Sequence, residues 1–134
     1  MTTRQIPILL GPGEGRAYGL GGMTAVFKAD EDETGAAYSI SEWWLGPHAA
    51  GPGAHSHAEN DDIFYVLDGV VTFLIGDSWT PVAKGGFVRA AAGTIHDFRN
   101  DTDQRAGLLN IYIPGGFERD MPAIVEWFAR QSEG

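Results

Sequence analysis

The sequence contains no cysteine, has half as many basic as acidic residues, and lacks any long hydrophobic run. The absence of cysteine excludes disulfides, thiolate zinc sites, iron–sulfur clusters and a cysteine nucleophile. Nine Lys and Arg against 18 Asp and Glu give a formal net charge of −9. That balance argues against a nucleic-acid partner and against docking on an anionic membrane surface. No stretch resembles a membrane span or a secretion signal, so we expect a cytoplasmic protein.

Short strand-forming runs fill most of the chain. Nineteen glycines and seven prolines separate segments rich in Val, Ile, Phe, Tyr and Trp. These segments predict strands with no room for crossover helices, and therefore an all-β sandwich or barrel. Asp68-Gly69 predicts a tight hairpin between two of them. The predicted strands are Met23–Ala29, Ala37–Leu45, Ile63–Leu67, Val70–Ile75, Gly86–Arg89, His96–Arg99 and Leu108–Pro114.

One domain of 134 residues is expected, with its barrel core at about 23–114. A helix is predicted over Met121–Gln131, since Pro122 suits a first helical turn and apolar residues then recur at helical spacing. We expect it on the outside of the barrel, with its apolar stripe in core packing or, alternatively, at a partner surface. The acidic segment Asp30–Gly35 is interpreted as a solvated turn.

Three of the four histidines are arranged as metal ligands would be. His55 and His57 form an H-x-H pair, and His96 follows 39 residues after His57. On a strand, residues two apart share a face and stand about 6–7 Å apart, so their imidazoles can converge on one ion. Asp62 opens a predicted strand, and Glu59 and Asp61 lie beside it. Imidazole with carboxylate suits first-row transition metals.

Two alternatives stay open for these groups. The histidine pair could be solvated turn residues, and Asp62 could be a water-bridged or unpaired carboxylate at the barrel mouth. His48 is interpreted as an exposed loop residue.

The segment Gly51–Gly69 resembles the first motif of the cupin superfamily, and Gly85–Asn100 resembles the second. In the first, H-x-H is followed by Asp62 and, seven positions on, Gly69; the second carries Gly85, Gly93, His96 and Asn100. The resemblance covers nearly the whole chain as a small, single-domain microbial cupin of the quercetinase-like group. It implies a double-stranded β-helix, or jelly-roll barrel, with a short C-terminal helix. Asp62 stands where the family usually has Glu, and Ala91 where it usually has Pro.

The resemblance also implies a site and a function. The metal ligands would be His55, His57, Asp62 and His96, around one divalent ion such as Fe, Mn, Ni or Zn. Asn100 would be structural. The implied function is that of a mononuclear metal-dependent dioxygenase acting on a small organic substrate. The alternatives are a non-catalytic binding or sensing module and a metal-dependent isomerase or lyase. A homodimer is expected.

Aromatic side chains are candidates for a substrate pocket. We expect pocket contacts from Trp44, Phe64 and Phe98, with plain core packing as the alternative. Arg99 is expected on the face opposite His96, in an outer salt bridge.

Overall fold

The computed structural model describes residues 7–133 as nine strands in two antiparallel sheets, followed by a C-terminal helix. The larger sheet has the order β1-β2-β3-β9-β4-β7, and the smaller has the order β6-β5-β8. The strands are β1 Arg16–Leu20, β2 Met23–Ala29, β3 Ser39–Leu45, β4 Asp61–Asp68, β5 Val70–Ile75, β6 Ser78–Ala83, β7 Phe87–Ala90, β8 His96–Arg99 and β9 Ala106–Ile113; the helices are α1 Glu31–Thr34 and α2 Met121–Glu133, with a 3-10 turn at Glu118–Asp120. The predicted all-β jelly-roll class with a short C-terminal helix is confirmed.

All seven predicted strands are present, but two further strands were missed. β1 and β6 each lie at the edge of a sheet. Pro81 lies within β6, and an edge strand tolerates proline because one of its sides donates no ladder hydrogen bonds. β1 is short and largely exposed, so it lacks the apolar alternation that marks a strand.

The core lies between the two sheets and follows strand alternation. On β4, Phe64 and Val66 point inward and are almost fully buried. Phe73 on β5 meets Phe64 at a ring-centroid distance of 5.2 Å, which joins the small sheet to the large one. Phe98 on β8 contacts both rings, at 5.8 Å and 6.2 Å. The apolar faces of both sheets are thus buried against each other.

The segment at Asp30 differs from the prediction of a solvated turn. It forms the single-turn helix α1, and Asp30 is only 2% exposed. Its carboxylate accepts hydrogen bonds from the backbone amides of Gly116 and Glu118, each at 2.6 Å. A carboxylate that accepts backbone amides can be buried at low cost. Asp30 therefore fixes the chain that leads into α2.

Helix α2 packs across one end of the barrel. Met121 is fully buried, and Ile124, Val125 and Phe128 pack against the core cluster. The predicted core packing is thus present, although the helix has a second contact described below. Within residues 7–133, no helix is both long and apolar enough to span a membrane.

Candidate metal centre

The loop between β3 and β4 carries the histidine pair and is attached to β8. Gly51 lies so close to this strand that an added Cβ would stand 1.6 Å from the Phe98 carbonyl oxygen, so only glycine fits. The Gly53 amide donates to the Asp97 carboxylate at 3.1 Å. His55 and His96 then exchange both backbone hydrogen bonds, at 3.0 and 2.8 Å. This pairing brings His96 back to the histidine pair.

Four side chains meet at this end of the barrel: His55, His57, Asp62 and His96. Each offers one ligand atom, and these atoms all lie within 4.8 Å of one another. Atoms bound at about 2.0–2.3 Å from a single ion lie within roughly 4.5 Å of one another, so a shift of a few tenths of an ångström suffices. The cluster is therefore positioned to bind a metal ion.

Two of the imidazoles are oriented by backbone carbonyls. Nδ1 of His55 lies 2.6 Å from the Gly53 carbonyl oxygen, and Nδ1 of His96 lies 2.8 Å from that of Thr94. A proton on each Nδ1 donates to the carbonyl and leaves Nε2 directed at the cluster, as ligating histidines usually require. Burial, joined by repulsion from the other two imidazoles, lowers the pKa of His55 below its ordinary value, which favours the neutral ligand form.

Asp62 reaches the imidazoles despite having the shorter carboxylate. Its Oδ2 lies 2.8 Å from Nε2 of His96 and 3.2 Å from Nε2 of His57. Its Oδ1 accepts a hydrogen bond from the Asn110 amide at 2.9 Å. Burial alone would raise the pKa of Asp62, but the neighbouring imidazoles of His57 and His96 and the hydrogen bond from Asn110 outweigh it and hold that pKa well below its usual range. Asp62 is thus an ionised carboxylate within the cluster.

His96 lies within hydrogen-bonding distance of this carboxylate. Burial opposes its charged form most strongly, yet the hydrogen bonds to Asp62 and to the Thr94 carbonyl prevail and raise the pKa of His96. An ion bound at Nε2 would have to displace the proton on that nitrogen.

His57 holds a polar atom that is otherwise unsatisfied. Its Nε2 is buried and lies 3.2 Å from Oδ2 of Asp62, but the two atoms are not aligned for a hydrogen bond, and Nε2 has no other hydrogen-bond partner within residues 7–133. Its Nδ1 lies 3.5 Å from the hydroxyl of Tyr112, whose pKa is raised to about 12 by burial and by nearby carboxylates. A buried imidazole nitrogen without a partner is costly unless it ligates an ion, so the donor set fits a metal.

Two cavities adjoin the cluster, and His55 lines both. The inner chamber holds about 30 Å³ and reaches Asp62. The outer cavity holds about 340 Å³, lies against the histidine pair, and is closed on one side by α2. Pro52 and Phe117 also belong to both cavities and stand between them.

The predicted pocket residues fall on different faces. Phe64 and Phe98 line the inner chamber. Trp44 lines neither of these two cavities, because strand parity turns it to the outer face, where its ring stacks on Arg105 at 3.9 Å. Trp43 takes the inward place, is 4% exposed and lines the chamber instead.

Other singled-out residues lie outside the cluster. His48 is exposed and pairs with Asp103 at 2.6 Å. Arg99 forms an outer salt bridge to Asp101 at 2.9 Å and stacks on Trp79. The buried amide of Asn100 donates to three backbone carbonyls, those of Leu45, Gly46 and Gln104, and so ties two loops together.

Sequence reasoning missed two contributors to the site. Asn110, which holds Asp62, is a polar residue at an inward position between Leu108 and Tyr112 on an otherwise apolar strand. A polar residue at an inward position of an apolar strand could have identified Asn110 as a candidate site residue. The side chains of α2 that face the outer cavity gave no such signal, since helical spacing alone does not distinguish a pocket wall from core.

Solved structures with the same fold are numerous. KdgF from Halomonas sp. has a TM-score of 0.73 and 15% identity, with 85% of this chain and 99% of that chain covered. An RmlC-like cupin from Shewanella frigidimarina has a TM-score of 0.72 and 13% identity over 87% and 98% of the two chains. The polyketide cyclase RemF from Streptomyces resistomycificus has a TM-score of 0.70 and 19% identity over 81% and 80%.

These likenesses concern the fold, because the identities are low. None of the curated proteins compared with the chain matches it. A family model, described as "Cupin domain", matches residues 42–112, which is more than half of the chain and includes all four clustered side chains. The chain therefore belongs to the cupin family.

Proposed function

We propose that this protein is a mononuclear metal-dependent dioxygenase that acts on a small organic substrate. The arrangement of the two cavities carries the proposal. A chamber of about 30 Å³ has room for a molecule the size of water or dioxygen, and the 340 Å³ cavity beside it suits a small organic molecule. Both are lined by His55, one of the four clustered side chains.

The ion held by His55, His57, Asp62 and His96 would supply redox or Lewis-acid chemistry. The chain supplies the surroundings. Phe64 and Phe98 limit water in the inner chamber, and the Asn110 amide keeps Asp62 ionised and oriented. Tyr112, with its pKa raised to about 12, remains a neutral phenol and takes no proton from substrate at neutral pH.

A metal-assisted isomerase or lyase is the second candidate. One observation favours it: the exposed carboxylate of Asp120 lies on the lining of the outer cavity, where it can accept a proton from a bound molecule. If this candidate holds, Asp120→Asn abolishes turnover while metal content stays unchanged.

Oxygen uptake tests the leading proposal. Protein loaded with Fe²⁺, Mn²⁺ or Ni²⁺ is assayed with a panel of flavonols and small diketones, with His57→Ala as the inactive reference. Uptake that requires both substrate and His57 supports the dioxygenase. Turnover without oxygen consumption indicates the isomerase or lyase, and binding without turnover across the panel indicates a sensing module.

We also propose a homodimer formed through the outer face of the large sheet. On that face, Ile111 of β9 pairs with Ile40 of β3 on one side and with Ile63 of β4 on the other. Tyr65 pairs with Phe87, and they are 45% and 63% exposed. An exposed apolar patch of this kind is typical of an interface. Sedimentation equilibrium tests it: wild type should be dimeric, and Phe87→Asp should shift the equilibrium towards monomer.

A further inference from the structure

Helix α2 gives the outer cavity an aromatic wall. Ile124, Trp127 and Phe128 line the cavity on that side. The Trp127 ring packs edge-on against Phe128 at 5.0 Å, yet Trp127 remains 49% exposed. A large aromatic surface held beside a cavity and left half uncovered offers contact area to a ligand at low entropic cost.

The charge on the cavity lining selects against anions. Among the described residues that line it, none is Lys or Arg, and Asp120 is a carboxylate. The chain as a whole carries a formal net charge of −9. An ion at the four-residue cluster would place positive charge at the inner end alone. A ligand body lying between α2 and the loop at Pro52 to His57 therefore meets no cation, and burying an unpaired charge there is costly.

Two kinds of lining residue fix how such a molecule lies. The imidazoles of His55 and His57 line the cavity from the metal cluster, and the rings of Trp127 and Phe128 line it from α2. A ligand that contacts both has a polar group at the imidazole end and an apolar body against α2. Phe117, which packs on Tyr112 at 5.1 Å and on Phe27 at 6.2 Å, supports the boundary with the inner chamber.

We infer that the substrate of the metal centre is a largely apolar aromatic molecule whose uncharged ring body lies against Trp127 and Phe128. This inference rests on the proposed function, because it assigns the substrate class of that same site. Helix α2 is accordingly a substrate-positioning wall as well as part of the core.

Calorimetric titration tests the inference without relying on turnover. The full chain is loaded with Zn²⁺, which is redox-inactive, and titrated with 2-naphthol and with 6-hydroxy-2-naphthoate, which keeps the hydroxyl and adds a carboxylate at the far end of the same ring skeleton. We expect 2-naphthol to bind, and 6-hydroxy-2-naphthoate, whose carboxylate would fall against α2, to bind at least about tenfold more weakly. Trp127→Ala should weaken 2-naphthol binding by about tenfold, and Trp127→Phe should recover most of the loss.

Trp79→Ala is the matched control, since Trp79 is a partly exposed tryptophan on β6 and does not line the cavity. It should leave the Kd for 2-naphthol unchanged. Three results would each overturn the inference: no binding of 2-naphthol to zinc-loaded protein, 6-hydroxy-2-naphthoate binding as tightly as 2-naphthol, or equal losses in the two tryptophan variants. Failure of the proposed function looks different, because the metal-loaded protein would then show no substrate-dependent oxygen uptake while 2-naphthol binding still depended on Trp127.

Discussion

The side-chain amide of Asn110 donates a hydrogen bond to Oδ1 of Asp62 at 2.9 Å, from the neighbouring strand of the same sheet. This leaves Oδ2 to the imidazoles of His57 and His96. Oδ1 therefore anchors the carboxylate to Asn110, and Oδ2 faces the imidazoles. The cluster thus joins one strand from each sheet, through Asp62 on β4 and His96 on β8, to the histidine pair on the loop between β3 and β4.

Replacing Asn110 should weaken metal binding without removing a ligand. In Asn110→Leu, Oδ1 of Asp62 loses its donor and the carboxylate is free to rotate away from the imidazoles. Loss of such an orienting contact typically costs about 10–100-fold in metal affinity. Competition with a chelator gives the Kd. Asn60→Leu is the control, since the Asn60 amide donates to the Pro114 carbonyl at 2.9 Å and not to a residue of the cluster. Equal affinities in wild type and Asn110→Leu would contradict the role assigned to Asn110.

Restoring the family's usual carboxylate should not improve the site. Asp62 is 4% exposed and its Oδ2 already lies 2.8 Å from His96. The extra methylene of Asp62→Glu has to be accommodated in a packed site, which we expect to cost about 1–3 kcal/mol of stability. Chemical unfolding and metal titration measure both effects, with Asp61→Glu at the half-buried neighbouring position as control. A tighter metal Kd in Asp62→Glu would instead show that Asp62 is a weakened ligand.

The ion pair that holds α2 in place should make stability depend on pH. Arg16 donates to Glu118 at 2.8 Å, and Tyr18 donates to it at 2.7 Å. Burial alone would raise the pKa of Glu118, but these two hydrogen bonds outweigh it and lower that pKa below its ordinary value of 4.5. The stabilisation is therefore complete above the ordinary pKa and is lost as the pH falls from there through the lower folded-state value.

Unfolding of Glu118→Gln measures this contribution. The variant should be about 1 kcal/mol less stable at pH 7, a modest loss because Arg16 is half exposed to solvent. The difference from wild type should shrink below the ordinary pKa. Glu126→Gln removes the exposed pair with Arg130 and should change little. A constant difference from pH 7 to pH 3 would mean that the ionised form of Glu118 is not what stabilises the protein.

The four clustered side chains could be predicted from the sequence because they lie in two local sequence motifs. H-x-H and the strand that begins near Asp62 are short-range signals, and the second motif places His96. The sequence did not show which of Trp43 and Trp44 points inward, because the inward face of β3 also carries the polar residues Ser39 and Ser41. Trp43 donates to the Ser41 hydroxyl at 2.9 Å, so the polar serines are satisfied inside. Polar residues on a buried face conceal strand parity from a hydrophobicity pattern.

The role of α2 depends on tertiary placement. Ile124 and Phe128 have the spacing of core residues, and they do pack on the core. Only the position of the helix across the barrel end makes them cavity wall as well. Helical periodicity predicts which face of α2 is apolar, but it does not predict which part of the protein that face contacts.

The metal content of the purified protein tests the central claim most directly. Protein made without a histidine tag is measured by elemental analysis as wild type, as His57→Ala and as His48→Ala, the last removing the exposed histidine paired with Asp103. We predict about one transition-metal ion per chain in wild type and His48→Ala, and a large loss in His57→Ala, whose buried Nε2 has no other partner among the described residues. Equal metal content in wild type and His57→Ala would contradict the account.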